Sequence, residues 1–295
     1  MYATDFSEEK LNIAWFNSME AFKQWEISTE CSSRRSIEND IVTQYSSSGS
    51  PFSFLDGKCV FCQLPSKFLL DDVSGYGFRS DTDFQPNWRE RLICSRCNLS
   101  NRSRMVYSIL ELFPSQLETW ITEQDTTFFR ALTQRFNHLV GSEFLGQDWV
   151  SGQHNEKGLR HENISASSFS DSSLSCVVTL DTLEYVEKSH DALLEIYRIL
   201  KPGGTLLATV PFDRESPINF ERASKNEDGS YTYFAPPEFH SNPVQDEPLL
   251  YFRQFGWQML QDLKECGFAD AKIGFAWSQE LMNLGPDLVI FSANK

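Results

Sequence analysis

This chain of 295 residues is short of positive charge. Its 26 Lys and Arg face 41 Asp and Glu, a net charge of -15. A surface that acidic is repelled by phosphate backbones, which sets aside a general nucleic-acid binder. No run reaches the ~18 apolar residues a membrane span needs. Met1 to Lys10 lack the basic start and apolar core of a secretory signal. These absences predict a soluble, cytoplasmic protein with no membrane span. A fully paired disulfide framework is missing too. The 7 Cys are odd in number, and four of them sit in two tight pairs. In a reducing compartment that favours metal over disulfides.

The charge deficit has a local exception. Asn87 to Arg104 carries Arg89, Arg91, Arg96, Arg102 and Arg104 against the single acid Glu90. Two readings stand. One is a solvated, salt-bridged face. The other is a docking surface for a phosphorylated or acidic substrate group, because the guanidinium fork suits phosphate.

Cys59-Val60-Phe61-Cys62 and Cys94-Ser95-Arg96-Cys97 form two C-x2-C knuckles. Two intervening residues let both sulfurs of a knuckle turn toward one ion. Two knuckles supply the four thiolates of a tetrahedral zinc site, Cys59, Cys62, Cys94 and Cys97. A four-thiolate site has no open position, so its role is structural. The 31 residues between the pairs exceed the ~15–20 of compact motifs. Gly75, Gly77 and the polar stretch Ser80 to Asn87 predict an inserted loop that absorbs the excess. Cys176 and Cys266 read as core thiols, and Cys31 as incidental.

Apolar spacing predicts a helix over Leu11 to Ile27. The Ser-rich stretch from Ser28 to Ser50 reads as a linker or poorly ordered loop. A helix is expected from Ser103 to Phe113. Strands and helices then alternate: strand Thr119–Thr122, helix Thr127–Phe136, strand Leu139–Val140, a short strand Gly158–Glu162, strand Cys176–Leu180, helix His190–Leu200, strand Thr205–Val210. Glu215 to Pro248 is a long polar loop, of a kind that is usually functional or flexible. A helix from Gly256 to Cys266 and two apolar runs, Ala271–Phe275 and Asp287–Ser292, close the chain as a hairpin-like pair. The alternation predicts an α/β fold with a doubly wound, mostly parallel, Rossmann-like sheet and a small N-terminal four-cysteine zinc-binding module. The expected divisions are 1–50 (helix and linker), 51–113 (module and connecting helix) and 114–295 (α/β domain).

Three pieces carry a resemblance. Phe169-Ser-Asp-Ser-Ser-Leu-Ser-Cys-Val-Val178 leads to Leu180-Asp181-Thr182-Leu183-Glu184-Tyr185-Val186, and Leu200-Lys201-Pro202-Gly203-Gly204 precedes the strand Leu206 to Phe212. Together they resemble class I S-adenosylmethionine-dependent methyltransferases over about Thr119 to Lys295. With the paired knuckles ahead, the chain looks like zinc-ribbon-containing bacterial members found with surface-glycan or secondary-metabolite pathways. The resemblance implies a Rossmann-like fold, S-adenosylmethionine as cofactor and a structural Zn2+.

In that family the first strand ends in an acid followed by a glycine-rich loop. Glu123 stands for the acid, but Gln124-Asp125-Thr126-Thr127 contains no glycine. The loop is degenerate, and the Thr126 hydroxyl and the helix N-terminus replace some of its contacts. Glu143 is placed to accept the ribose hydroxyls. Asn163 takes the position that faces the adenine amine, and its side-chain oxygen can accept from it. Asp181 and Glu184 fall near the transferred methyl, and Tyr185 stands where many relatives carry His.

A hydroxyl nucleophile needs a base tuned toward neutral pH. His240, in the long loop after the fifth strand, is the first candidate, with Glu238, Tyr185 and Glu184 beside it. His161 reads as a pocket wall, and His138 and His190 as structural. The implied activity is methyl transfer to an O or N atom of a small molecule, a sugar or glycoconjugate. A catalytically inactive scaffold docking a partner through the zinc module, and an RNA methyltransferase, are the alternatives. A homo-oligomer is allowed by the sequence.

Overall fold

The computed structural model describes residues 11–46, 50, 52–73, 77–79, 84–242, 244–245, 247–286 and 288–295. The stretch Met1 to Lys10, part of the expected Ser-rich linker (47–49), and Gly75 with residues 80–83 of the expected inserted loop lie outside the described residues. In chain order the main elements are β1 (Asn12–Phe16), α1 (Met19–Glu26), α2 (Thr29–Ser46), β2 (Ser53–Lys58), β3 (Pro65–Leu70), β4 (Ile93–Cys94), α3 (Asn101–Leu110), β5 (Thr119–Ile121), α4 (Thr127–Leu132), β6 (Leu139–Gly141), β7 (Leu174–Leu180), α5 (Ser189–Ile199), β8 (Leu200–Thr209), α6 (Gln258–Glu265), β9 (Ala269–Trp277) and β10 (Val289–Asn294). A mixed sheet of seven strands runs in the order β1-β9-β10-β8-β7-β5-β6. The chain divides into two compact units. One is built mainly of 20–114 with 274–289, the other mainly of 115–273 with 290–295. No helix among the described residues is long and apolar enough to cross a membrane.

The first unit departs from expectation in two places. The helix expected over Leu11 to Ile27 is a strand followed by a shorter helix. Ile13 and Phe16 fit a helical spacing, but β-branched and aromatic residues also suit a strand that packs on a flat surface. That surface is Gly274, where an added Cβ would stand 2.7 Å from Ile13 and 2.8 Å from Trp15. Phe16, Phe22, Trp25 and Phe275 form one aromatic cluster, with Phe22 stacked on Phe275 at 4.5 Å.

The linker expected over Ser28 to Ser50 is largely the helix α2. Ser28 caps it by accepting from the Cys31 N–H at 3.2 Å. Ion pairs Arg34–Glu30 and Arg35–Glu38 run along it. Its buried face is held by polar contacts: the Glu38 carboxylate accepts from Trp277 Nε1 at 2.9 Å and from the Gly285 N–H at 2.6 Å.

In the second unit β6, β5, β7 and β8 are all parallel, with Thr119 opposite both Leu139 and Cys176, and Thr205 opposite Cys176. β10 closes on β8 antiparallel. β7 reads as a nearly continuous apolar run because six of its seven residues are buried, as in a parallel strand covered on both faces. α5 buries Ala192, Leu193, Ile196 and Ile199 at helical spacing. The expected stop after it is an irregularity at the start of β8, where the register shifts between Leu200 and Thr205: Gly203 has φ +78° and its N–H donates to the Lys295 carbonyl.

The third strand expected at Gly158 to Glu162 is absent. Asn155 Oδ1 caps a turn by accepting from the N–H groups of Lys157 and Leu159, Gly158 takes φ +77°, and only isolated bridges remain, among them Glu143 with His161. The long polar loop after β8 is ordered by short pairings: Phe220–Glu221 with Arg253–Gln254, Ala223–Lys225 with Tyr231–Tyr233, and Phe239–His240 with Leu249–Leu250.

Cys176 and Cys266 are buried core thiols, as expected. Burial pushes Cys176 from 9.0 up to about 12. The folded protein therefore keeps this thiol protonated after the unfolded chain has ionised it. Its stabilising contribution is complete below pH ~9 and is lost as pH rises toward 12, at roughly 1.4 kcal/mol per pH unit. Denaturant melts between pH 9 and 12 should show this slope in the wild type and a flatter one in Cys176→Ala.

Candidate functional site

Strand order places the site. β5 lies between β6 and β7, so the chain reverses direction across the sheet there. Ligands bind at such a switch point, outside the carboxyl ends of the strands. Glu123, Glu143 and Asp181 each follow the carboxyl end of one of these parallel strands.

The turn after β5 is stitched to its neighbours by side chains. Thr126 caps α4, its hydroxyl accepting from the Phe129 N–H at 3.0 Å while donating to Glu123 Oε1 at 2.6 Å. Glu143 Oε1 accepts from the backbone N–H groups of Gln124 and Asp125, both at 2.7 Å. Burial raises the Glu143 pKa above the ordinary carboxylate value, and the two amide bonds oppose that. The Gln124 side chain crosses to the next loop. Its Oε1 accepts from the Arg160 N–H at 2.7 Å and its Nε2 donates to the Gly158 carbonyl at 3.3 Å.

Gly141, at the end of β6, is a residue the sequence did not flag. A Cβ there would stand 2.4 Å from the Phe129 ring and 2.8 Å from the Glu123 carbonyl. The close backbone approach is thus made by a glycine on the neighbouring strand.

The residues expected to face the adenosine are variously engaged. Asn163 Oδ1 accepts from the Ser165 N–H at 2.9 Å, a local turn. The adjoining Glu162 is buried and accepts from the Ser168 N–H and hydroxyl, and pairs with Arg160. His161 is buried too. Its Nδ1 accepts from the Leu145 N–H at 2.9 Å, its ring lies 5.4 Å from Phe144 and 6.5 Å from Trp149, and burial lowers its pKa. A wall role suits it, and the two aromatics are additions no sequence period announced. Asp181, after β7, takes φ +50° and its Oδ1 accepts from the Thr209 hydroxyl at 3.0 Å. Glu123, Glu143 and Asp181 give this edge the acidic oxygens that suit a diol and a cationic amino group. These carboxylates are of the type that suits the ribose and amino groups of S-adenosylmethionine, with one oxygen of each already accepting a protein hydrogen bond.

Two of the three catalytic candidates come together. Tyr185 Oη lies 2.6 Å from His240 Nδ1, and His240 Nε2 lies 2.9 Å from Glu238 Oε1. The pairing of Phe239–His240 with Leu249–Leu250 delivers His240 to this point. The His240 ring stacks on Tyr251 at 5.5 Å. Arg222 pairs with Glu238 Oε2 at 2.9 Å and lies over the Tyr251 ring at 5.0 Å. Arg222 and Tyr251 escaped sequence reasoning because nothing in their local sequence points to His240. Glu184 is 1% exposed, in the short 3-10 turn Leu183–Tyr185, and its carbonyl accepts from the Phe252 N–H at 2.9 Å.

The first unit holds the four cysteines together. Their sulfurs all lie within 4.8 Å of one another, with Cys59–Cys97 at 3.8 Å and Cys62–Cys94 at 4.0 Å. A zinc–sulfur bond of ~2.3 Å in a tetrahedron requires sulfurs roughly 3.8 Å apart, so the donor set fits zinc. The two knuckles are backbone copies. Cys59 and Cys94 donate their N–H to the carbonyls of Leu64 and Leu99, Gln63 and Asn98 donate back to the cysteine carbonyls, and both take positive φ, 55° and 59°.

The nearby arginines make contacts within the unit. Arg91 makes a two-pronged pair with Asp71, Arg89 and Arg102 pair with Glu90, and Arg96 donates to the Pro65 carbonyl. Arg104 is fully buried and donates to the carbonyls of Leu92, Leu99 and Met282. These contacts favour the salt-bridged reading of the cluster, while Arg96 stays exposed.

Residues 127–208, from α4 through β8, match a family model described as a methyltransferase domain. The match spans less than half of the chain. Among solved structures it is similar to an S-adenosylmethionine-dependent methyltransferase from Mesorhizobium loti, at 14% identity and a TM-score of 0.40, over 64% of this chain and 96% of that one. It is also similar to 1,6-didemethyltoxoflavin-N1-methyltransferase from Burkholderia thailandensis with bound S-adenosylhomocysteine, at 11% identity and a TM-score of 0.37, over 66% and 78%. No curated protein matches the chain.

Proposed function

Starting from a chain that carries a class I S-adenosylmethionine-dependent methyltransferase domain, we propose that it methylates an O or N atom of a small molecule, a sugar or glycoconjugate. The observation that carries this reading is the Tyr185–His240–Glu238 hydrogen-bonded chain after β7, a set of groups able to take a proton from a hydroxyl or amine. The sugar class follows from the family resemblance. The cofactor supplies a methyl group on a sulfonium. Glu123, Thr126, Glu143, Asn163 and Asp181 are the residues assigned to hold it, with Glu143 toward the ribose. Bringing acceptor and methyl into line is mainly an orientation effect. The buried Glu184 supports the turn that presents Tyr185. A structural zinc on Cys59, Cys62, Cys94 and Cys97 fixes the fold of its own unit.

The test is methyl transfer by the full chain from S-adenosylmethionine tritiated in the methyl group to a panel of hexoses, amino sugars and nucleotide sugars. Label in an acid-stable methyl ether or methylamine is expected. Transfer to none of them by a chain that binds the cofactor overturns the acceptor assignment. A second reading, the inactive scaffold, is favoured by the turn latched onto Glu143. S-adenosylhomocysteine carried through purification rules it out. The RNA alternative is opposed by the net charge of -15 and by the carboxylate pairing of Arg91 and Arg102; salt-sensitive retention of RNA on a filter would support it.

A further inference from the structure

We infer that Tyr185, and not His240, is the group that faces the acceptor, with His240 as a relay that takes the tyrosine proton and Glu238 with Arg222 as the residues that fix its tautomer. This deepens the proposed O- or N-methylation and rests on it.

Donors and acceptors set the direction of the protons. Both ring nitrogens of His240 are engaged by protein groups, Nδ1 with Tyr185 Oη at 2.6 Å and, at the surface, Nε2 with Glu238 Oε1 at 2.9 Å. An ionised carboxylate only accepts, so Nε2 must carry the hydrogen. In a neutral imidazole Nδ1 is then the acceptor, and the Tyr185 hydroxyl is the donor. Its proton already points along the path it would leave by. His240 cannot meet a substrate through either nitrogen without breaking one of these bonds.

The remaining contacts hold this polarity. Arg222 occupies the other Glu238 oxygen at 2.9 Å, which holds the carboxylate aimed at His240. The His240 ring is stacked on Tyr251, interplanar angle 21°, and meets the Tyr185 ring edge-on at 5.6 Å, so rotation of the imidazole is opposed from two sides; Arg222 lies over the Tyr251 ring. Tyr185 comes from the turn directly after β7, at the switch-point edge of the sheet. His240 comes from the strand pairing behind it.

The proton and electron balance is closed. The acceptor hydroxyl gives its proton to the Tyr185 oxygen as the tyrosine proton passes to His240 Nδ1. The acceptor oxygen uses its electron pair to form the new carbon–oxygen bond, and the carbon–sulfur bond of the sulfonium breaks with its pair going to sulfur. The imidazolium left at His240 faces Glu238 and returns its proton to solvent after product leaves.

Two measurements on the full chain test this. Long-range nitrogen-15 NMR of the histidines reads the tautomer directly and needs no acceptor. His240 should carry its proton on Nε2 in the wild type and in Tyr185→Phe, and lose that preference in Glu238→Ala. A His240 protonated on Nδ1 overturns the inference. Kinetics with the best-labelled acceptor should show Tyr185→Phe lowering kcat by about 10²–10⁴-fold and raising the acceptor KM. His240→Ala should lower kcat less, with KM unchanged, and His240→Gln serves if alanine misfolds. A silent Tyr185→Phe beside an inactive His240 variant overturns the assignment. If the wild type labels no acceptor, the proposed function fails on that result alone, and the tautomer still decides the relay.

Discussion

Replacing Cys94 with serine is expected to strip the protein of its zinc and unfold the unit built from residues 20–114 and 274–289. Binding to a structural four-ligand site is worth about 10–16 kcal/mol, which matches or exceeds the 5–15 kcal/mol that typically holds a whole domain folded. The site also organises its surroundings. Leu99 accepts from both the Cys94 N–H and Arg104, and Arg104 reaches on to Leu92 and Met282. Loss of one thiolate therefore releases a fully buried guanidinium as well as an ion. Metal analysis should find one zinc per chain in the wild type and almost none in Cys94→Ser, and a chelator should lower the melting temperature of the wild type alone. A Cys94→Ser protein that keeps both its zinc and its melting temperature would contradict this.

The second large effect belongs to Glu143. Its carboxylate accepts two backbone N–H groups of the glycine-free turn, and hydrogen bonds to a charged group contribute about 1.5–3 kcal/mol each. The burial that raises its pKa offsets part of that. Glu143→Ala is expected to lose roughly 2–4 kcal/mol of stability and at least tenfold in S-adenosylhomocysteine affinity, because it removes the proposed ribose acceptor and frees the turn together. Glu143→Gln retains an oxygen for the two amides, so it should recover most of the stability and little of the affinity. Denaturant melts and calorimetry separate the two effects. Equal, wild-type behaviour of both variants would remove Glu143 from the site.

Much of the second unit was legible because its pattern is driven by apolar burial. β7 and α5 follow the hydrophobic period almost to the residue. The N-terminal segment was not, because different forces act there. α2 buries Arg34 and Glu38 in polar contacts, so its inner face carries no apolar stripe to detect. β1 has a spacing that fits helix and strand alike, and contact with Gly274, more than 250 positions away, decides it. In the site, Tyr185 and His240 were visible as residue types suited to the chemistry. What was not visible is their contact, since it depends on the pairing of Phe239–His240 with Leu249–Leu250. The missing glycine loop was readable as an absence. Its replacement by Glu143, Gln124 and Gly141 required coordinates.

Everything proposed for this chain requires that the rebuilt turn still admits the cofactor. Isothermal calorimetry of S-adenosylhomocysteine against the full wild-type chain tests it most directly. Binding of one molecule per chain at micromolar concentration, weakened in Glu143→Ala, is the result expected. No heat of binding at millimolar ligand with a folded, zinc-loaded protein would contradict it.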